Sequence, residues 1–305
     1  AEESITACDS MTWDNGVTYT QTGIYYDSLQ TIAGCDSVLM LDLTINPSPV
    51  FSFAQDTVGA CGGDSVLLDA GAGHTNYVWN TGDTTQTIYA NATGNYSVTV
   101  GNGIVNSGNS LDFDGVDDYV DLGNNTSFHF TDFTLNFWFK TSSNSGLLLN
   151  KDCDGCEASE GDWFFYLVNG QLQFTCQKNG LNPIIITSNT VNDNTWHFAS
   201  ATRNNSNGEL TLYLDGILQD NNFSGTGVID NIQPLTFGRY AQTGINYFSG
   251  LGNEISVWNT VLTQSEIQDY MNCPPTGNEA GLVGYWNMDE GSGTTLTDLS
   301  GNGNN

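Results

Sequence analysis

Positive charge is nearly missing from this chain. Five Lys and Arg residues stand against 34 Asp and Glu in 305 residues, a formal net charge of −29. All five (Lys140, Lys151, Lys178, Arg203 and Arg239) lie in the middle of the chain. A surface this acidic repels phosphate backbones and anionic lipid, so no nucleic-acid or membrane-surface binding is expected. It suits cation binding and a salty exterior, and it also keeps a secreted protein soluble. Long apolar runs are missing too; no segment reaches membrane-spanning length, and no membrane insertion is expected. Histidine is scarce, and His74, His129 and His197 sit far from any Cys-x-x-Cys pair. That argues against zinc and leaves the seven cysteines for disulfides.

Cys8 and Cys35 occur in matching contexts, Ala-Cys-Asp-Ser and Gly-Cys-Asp-Ser, and are expected to pair. Cys153, Cys156, Cys176 and Cys273 supply two further bridges, and Cys61 is left over. Cys153-Asp-Gly-Cys156 also has redox-motif spacing, but no helix start or thioredoxin-like pattern surrounds it. Disulfides imply an oxidising location: secreted, cell-surface or extracellular. Ala1 opens no signal peptide, so the chain reads as a mature product or a fragment of something longer.

What is abundant is Gly, Asn, Thr, Ser and aromatics, the composition of a turn-rich all-β protein. Three modules are visible. Residues 1–48 hold two alternating runs, Val17 to Tyr26 and Ser37 to Ile45, before the linker Asn46-Pro47-Ser48-Pro49. So small a module buries too little surface to be stable unaided, which is the physical reason for a Cys8–Cys35 staple. It resembles the short Cys-Asp-Ser repeats of large surface proteins of Bacteroidota-type bacteria. Residues 49–104 carry short strands at Ser65–Leu68, Tyr77–Trp79, Thr87–Tyr89 and Tyr96–Val100, separated by glycine-rich turns. This segment resembles the immunoglobulin-like or PKD-like spacers of bacterial adhesins. In such a domain Trp79 is a core residue, and the usual partner for Cys61 after the last strand is missing.

Residues 105–305 are the most informative. Phe248 to Ile267 reads as an alternating strand (Ile255 and Val257 inward, Glu254 and Ser256 outward), then Trp258, then a helix start at Thr263. Thr263-Gln264-Ser265-Glu266 has capping-box spacing. Asn169-Gly170 between Trp163–Leu167 and Leu172–Cys176 is a two-residue hairpin signal. Phe133–Phe139 alternates as an inner-sheet strand. With the opening Ser110–Gly123, Thr195-Trp196-His197, Leu210 to Gly216, and the closing Gly284–Asn287 and Asp298–Asn302, these segments resemble the laminin-G-like/pentraxin family of concanavalin-type sandwiches. The resemblance implies an all-β, multi-domain chain: two small β modules, then a concanavalin/laminin-G-like jelly-roll sandwich with one short helix. It also implies binding rather than catalysis.

Three acidic groups invite a chemical reading. Asp298, Ser300 and Asn302 alternate before Gly303, like the first half of a calcium loop, though the twelfth-position Glu is missing. The resemblance adds Glu254 and Asp114 as ligands, because the family sets its opening Phe-Asp-Gly turn beside the closing segment. The plainer alternative is that Asp298 and Asn302 cap turns. A second group, Asp152, Asp154, Glu157, Glu160 and Asp162, occupies the loop where pentraxins gather calcium, but the facing Gly238–Gln242 lacks acids. Asp112, Asp114, Asp117, Asp118 and Asp121 read as solvent-face residues of a strand or as glycosidase carboxylates. The Glu-x-Asp-x-x-Glu pattern of related glucanases is missing, and no nucleophile elbow accompanies a histidine, so no enzyme is expected. Calcium is the one expected cofactor.

Asp-Ser/Thr-hydrophobic or Thr triplets place hydroxyls at Ser10, Ser28, Ser37, Thr57, Ser65 and Thr84, and none follows residue 85. The triplet resembles the O-glycosylation signal of Bacteroidota-type secreted proteins. The reading is a non-catalytic, calcium-stabilised surface adhesin segment on glycosylated spacers. Its loops bind a glycan or a surface protein, with Trp163 and Tyr240 as stacking residues or, on an equal reading, as core residues. The alternative is a structural subunit of an extracellular filament, whose copies join in a fibre by exchanging strands.

Overall fold

The computed structural model describes residues 2–13, 15–30, 36–46, 65–72, 76–79, 81, 83, 85–101, 110–152, 161–178, 184–187, 189–240 and 244–305. The chain divides into two compact units, Ala1–Ile104 with Asn272–Pro274, and Val105–Met271 with Pro275–Asn305. Each is described by itself.

In the first unit, strands β1 (Glu2–Cys8), β4 (Gly23–Gln30) and β5 (Asp36–Asn46) form a sheet ordered β1-β5-β4. The outer pairing is parallel, Glu2 opposite Met40, and the β4–β5 pairing is antiparallel. A small hairpin, β2 (Met11–Thr12) with β3 (Thr18–Tyr19), turns at Gly16, whose φ of +76° a side chain resists. The expected single run Val17–Tyr26 is therefore two strands. Thr22 interrupts it, its hydroxyl accepting from the Ile45 amide at 2.8 Å. Ala7, Trp13, Leu41 and Leu43 form the buried cluster here. Farther along, β6 (Val66–Asp69) pairs with β8 (Thr87–Ala90), and β7 (Asn76–Trp79) with β9 (Val98–Gly101). Trp79 is buried in the cluster with Tyr77, Ile88 and Val100, and its indole N–H donates to the Thr85 carbonyl at 2.8 Å.

The second unit is a sandwich. One sheet runs β10 (Leu111–Asp114), β21 (Ser249–Trp258), β12 (Phe133–Lys140), β17 (Trp196–Asn204), β18 (Glu209–Leu214), β19 (Ile217–Phe223), with β22 (Leu282–Trp286) on the far half of β21. The other runs β11 (Val120–Asp121), β20 (Thr236–Phe237), β13 (Ser145–Lys151), β14 (Asp162–Val168), β15 (Gln171–Gln177), β16 (Ile184–Ile186). Hairpin turns fall where αL-tolerant pairs stand: Asn169-Gly170 (φ +52° and +77°) and Asp215-Gly216 (φ +52° and +72°).

The core between the sheets is rich in phenylalanine. Alternation sends Phe133, Leu135, Phe137 and Phe139 of β12 into it, where Phe137 meets Phe165 edge-on at 4.9 Å. Such a pair adds about 0.5–1.5 kcal/mol beyond its buried area. The opposite face of β12 is buried too, because helix α1 (Gln264–Asn272) covers it. Ile267 and Met271 pack there with Trp138, Phe198, Trp258 and Tyr285. Glu254 and Ser256 lie on this outer face and are consequently buried rather than solvated. The helix starts in a reciprocal capping box: Thr263 N donates to Glu266 Oε2 at 2.7 Å, and Glu266 N to Thr263 Oγ1 at 3.3 Å. Gln264 and Gln268 both donate to the Gly216 carbonyl at 2.9 Å, pinning the helix to the β18–β19 turn.

Candidate ligand-binding site

Strands β10 and β11 end their respective sheets, and a turn of carboxylate hydrogen bonds joins them. Asp114 Oδ1 accepts from Val116 N (2.7 Å) and Asp117 N (3.4 Å), and Asp118 Oδ2 accepts from Asp114 N (3.0 Å). The turn sits against the segment after β20. Gly238, at φ +96°, has the Phe113 ring 2.9 Å from where a Cβ would stand, so only glycine fits this crossing. The next residue, Arg239, is held at its carbonyl by Asn150 Nδ2 (2.8 Å) and Thr236 Oγ1 (3.1 Å). Its guanidinium lies over the Tyr119 ring, 3.4 Å from the centroid. Tyr119 itself is 44 % exposed.

Tyr119 forms one wall of a cavity of about 630 Å³, with Leu111, Asp121, Glu290, Thr294 and Leu296 among the other walls. That volume falls within the roughly 300–1,000 Å³ usual for small-ligand sites. Glu290 projects from the glycine-rich loop after β22. Its Oε1 accepts from Thr297 N at 2.7 Å, whereas its Oε2 is buried without a hydrogen-bond donor.

The closing segment does something other than the spacing of its oxygens suggests. Asp298 Oδ1 accepts from Tyr285 N (3.1 Å) and Ser300 N (2.9 Å); Oδ2 accepts from Asn304 N (2.9 Å) and Nδ2 (3.1 Å). Burial works against its charge, but these donors outweigh it and hold the carboxyl below its usual value. Ser300 Oγ donates to the Val283 carbonyl at 3.0 Å, and Asn302 Nδ2 to the Leu282 and Val283 carbonyls at 3.2 and 3.1 Å. Donors occupy the carboxylate, so this donor set does not fit calcium; it ties the chain end onto β22. Glu254 stands at a β-bulge with φ +47°. Asp152 is buried, and Asp154 lies outside the described residues. Among the described residues the group of three acids whose oxygens all come within 4.8 Å is Asp114, Asp117 and Asp118, all exposed. Of the expected carboxylate ligands among the described residues, only Asp114 belongs to that group.

Trp163 is not a surface platform. It is fully buried on β14, in the core beside Phe133 at 6.1 Å between ring centroids, because β14's inward alternation carries it. Tyr240 is partly exposed in the loop next to Arg239, and its amide donates to Ile245 O at 3.0 Å. Cys176 makes no bridge. It is a free thiol, fully buried on β15, and burial pushes its pKa up to about 12. Cys273 is disulfide-bonded. Cys35, Cys61, Cys153 and Cys156 lie outside the described residues, as does the side chain of Cys8. Of the candidate glycosylation sites, Ser10 and Ser65 are exposed; Thr57 and Thr84, and the side chains of Ser28 and Ser37, lie outside the described residues.

The few cations are mostly withdrawn from the surface. Lys151, Lys178 and Arg203 are buried. Lys151 donates to Asn124 Oδ1 at 2.9 Å and to the Gln233 carbonyl, and burial lowers its pKa to about 8. Lys178 donates to the Val228 carbonyl and stands 3.7 Å from Asp230. His197 Nδ1 lies 2.9 Å from Asp215 Oδ2 and its Nε2 3.3 Å from Asp193 Oδ1. Burial disfavours the imidazolium, but the two carboxylates prevail and raise its pKa.

Sequence reasoning missed Tyr119 and Glu290. An aromatic directly after the acid-rich turn Asp117-Asp118, and a lone Glu before Gly291-Ser292-Gly293, were the available signals.

Two face-to-face sheets with edge strands β10 and β11 beside an open cavity define a concanavalin-type sandwich module. The chain belongs to the concanavalin A-like lectin/glucanases superfamily, whose laminin-G-type model matches residues 114–268, just over half of it. Among solved structures it is similar to a candidate carbohydrate-binding protein of Bacteroides ovatus (TM-score 0.51, 17 % identity, 63 % of this chain and 56 % of that one). It is also similar to the heptameric SAP-like pentraxin of Limulus polyphemus (TM-score 0.47, 14 % identity, 62 % and 90 %). A third is the sialidase CBM40 of Ruminococcus gnavus (TM-score 0.42, 16 % identity, 53 % and 96 %). The chain thus spans about half the length of the Bacteroides ovatus protein, and at these identities the likeness shows the fold alone. No curated protein matches it.

Proposed function

We propose that this chain is a non-catalytic, extracellular glycan-binding segment of a surface adhesin, with the sandwich as the binding module and the smaller β modules as its spacers. The observation that carries the reading is the cavity of about 630 Å³ with a half-exposed tyrosine, in a domain of a lectin superfamily. The fold shared with the Bacteroides ovatus protein, itself described as a candidate for carbohydrate binding, agrees with it. Among the described residues no helix is long and apolar enough to cross a membrane. Calcium belongs to the proposal at Asp114, Asp117 and Asp118, whose converging oxygens suit a hard cation and whose mutual repulsion a cation relieves. Glycans on Ser10, Ser28, Ser37, Thr57, Ser65 and Thr84 would shield the spacers from proteases.

A glycan microarray with the whole chain, in calcium and after chelation, tests the reading. Binding to at least one glycan family is expected, and silence across the array in both conditions refutes it. Intact mass tests the modification, which requires an excess confined to residues 1–85. A second reading, a filament subunit, is favoured by the terminal positions of β10 and β11 in their sheets. It requires polymers in light scattering where an adhesin module stays monomeric.

A further inference from the structure

We infer that the guanidinium of Arg239 and the hydroxyl of Tyr247 form a carboxylate site, so that the glycan this chain takes is an acidic one bearing a uronate or sialate group. The inference rests on the glycan-binding reading and deepens it by naming the ligand class. Among the described residues the Arg239 side chain makes no hydrogen bond or ion pair, although the chain carries 34 acids. Its Nε is buried and out of a ligand's reach, whereas Nη1 and Nη2 lie at the accessible end of a partly exposed residue. The Tyr247 hydroxyl is also without a partner among the described residues, on a partly exposed side chain. The two groups converge on Gly244. The point where a Cβ would stand there is 3.2 Å from Tyr247 Oη and 3.4 Å from Arg239 Nη1, at φ +60°. A side chain would crowd that gap, and glycine leaves it open. The planar fork of a guanidinium matches the two oxygens of a carboxylate, and a phenol O–H adds one more donor.

The fork is held before any ligand arrives. The Arg239 carbonyl accepts from Asn150 and Thr236, and the guanidinium lies on the Tyr119 ring. Beyond it, the Gly244 amide donates to the Tyr240 carbonyl at 3.0 Å and closes the turn. A donor fixed in this way loses little side-chain entropy on binding. Ile245, next to Gly244 and 53 % exposed, offers apolar surface to the sugar ring. The net charge of −29 does not forbid an anion here, because fields fade over about 8 Å at physiological ionic strength. The acids that count are those on the turn before Tyr119: Asp114, Asp117 and Asp118. Calcium on them, as proposed above, offsets two of their three charges, and Arg239 offsets the third.

The test is calorimetric titration of the full chain, in calcium, with oligogalacturonate and sialyllactose and with their methyl esters, which keep the sugar hydroxyls and lose the charge. At least one acid should bind about tenfold more tightly than its ester, with a preference that shrinks as salt rises. Arg239→Gln should erase the preference. Tyr247→Phe, which removes a single oxygen and leaves the fold untouched, should reduce it several-fold. Equal affinity for acid and ester overturns the carboxylate site while leaving glycan binding standing, and so does a preference that survives in both folded variants. A peptide with a free C-terminal carboxylate that binds as tightly as the acidic sugars, and only with Arg239 present, supports the carboxylate site and overturns its assignment to a glycan. Silence to acids and esters alike overturns the inference; the glycan-binding reading falls with it only if the array is silent too.

Discussion

Replacing Arg203 should show how far the sandwich depends on one buried cation. Arg203, at the end of β17, is fully buried. Its Nε donates to Ser224 Oγ at 3.0 Å, its Nη2 to the Gly225 carbonyl at 2.9 Å, and its Nη1 to the Thr131 carbonyl. The guanidinium thus joins the segment after β19 to the residues before β12, through neutral acceptors. Arg203→Met would remove two charge-assisted hydrogen bonds, to the Thr131 and Gly225 carbonyls, each contributing about 1.5–3 kcal/mol. Ser224 Oγ keeps other partners, the Gly208 and Gly225 carbonyls at 3.3 and 3.2 Å. Removing the desolvation cost of the cation offsets part of this loss, so the net destabilisation should be about 2–4 kcal/mol. For a domain of this size that lowers the melting temperature by roughly 4–16 °C. Arg203→Lys should recover only part, because an ammonium lacks the planar fork that reaches both segments. Scanning calorimetry of the full chain reads the shift. Since the acceptors are neutral, the shift should be the same in low and high salt. A melting temperature for Arg203→Met equal to wild type would refute the reasoning.

Four further outcomes are expected. The raised pKa of His197 means that its folded form binds the proton more tightly than the unfolded chain. Its contribution is therefore complete below the unfolded pKa of about 6.5 and is lost as pH rises through the higher folded value. Melting temperature should fall across that window in wild type and fall less in His197→Gln; equal slopes would count against it. Cys176 should resist alkylation in the native protein at neutral pH and react only after unfolding, as peptide mass spectrometry would show; native labelling would contradict its burial. Trp163→Ala should cost about 3–5 kcal/mol, whereas Trp163→Phe should cost much less, because the indole N–H it removes is buried without an acceptor. Neither should alter glycan affinity in the folded variant, and a selective loss of binding would restore Trp163 as a ligand contact. If calcium binds at Asp114, Asp117 and Asp118 rather than at the closing segment, Asp117→Asn should abolish any chelator-sensitive shift in melting temperature. Asp298→Asn should destabilise the chain with the shift retained, and the reverse pattern would move the ion to the closing segment.

Local rules made much of the sandwich legible. The alternation of Phe133–Phe139, the Asn169-Gly170 turn and the Thr263–Glu266 capping box each depend on residues close in sequence, and each appears in the fold. Tryptophan defeated that logic. A strand pattern assigns Trp163 and Trp138 to faces but is silent on which faces will be covered. The opposing sheet buries one and helix α1 the other. The cysteines defeated it for a related reason: counting thiols does not say which strand face carries each one, and Cys176 points into the core.

The binding wall shows the same division. Sequence by itself determined an acidic, all-β chain with a capped helix after a tryptophan-ended strand, because composition, period and cap spacing are local quantities. Only the tertiary structure decided what its acids do. Asp298 was spaced like a metal ligand, yet donors arriving from Tyr285, Ser300 and Asn304 fill its lone pairs. Glu290, without any motif, was left with a buried oxygen facing none. Whether a carboxylate is filled depends on which donors come within about 3 Å: Ser300 and Asn304 lie within six residues of Asp298, but Tyr285 reaches it from thirteen residues away, and only the pairing of the closing segment with β22 brings that donor in.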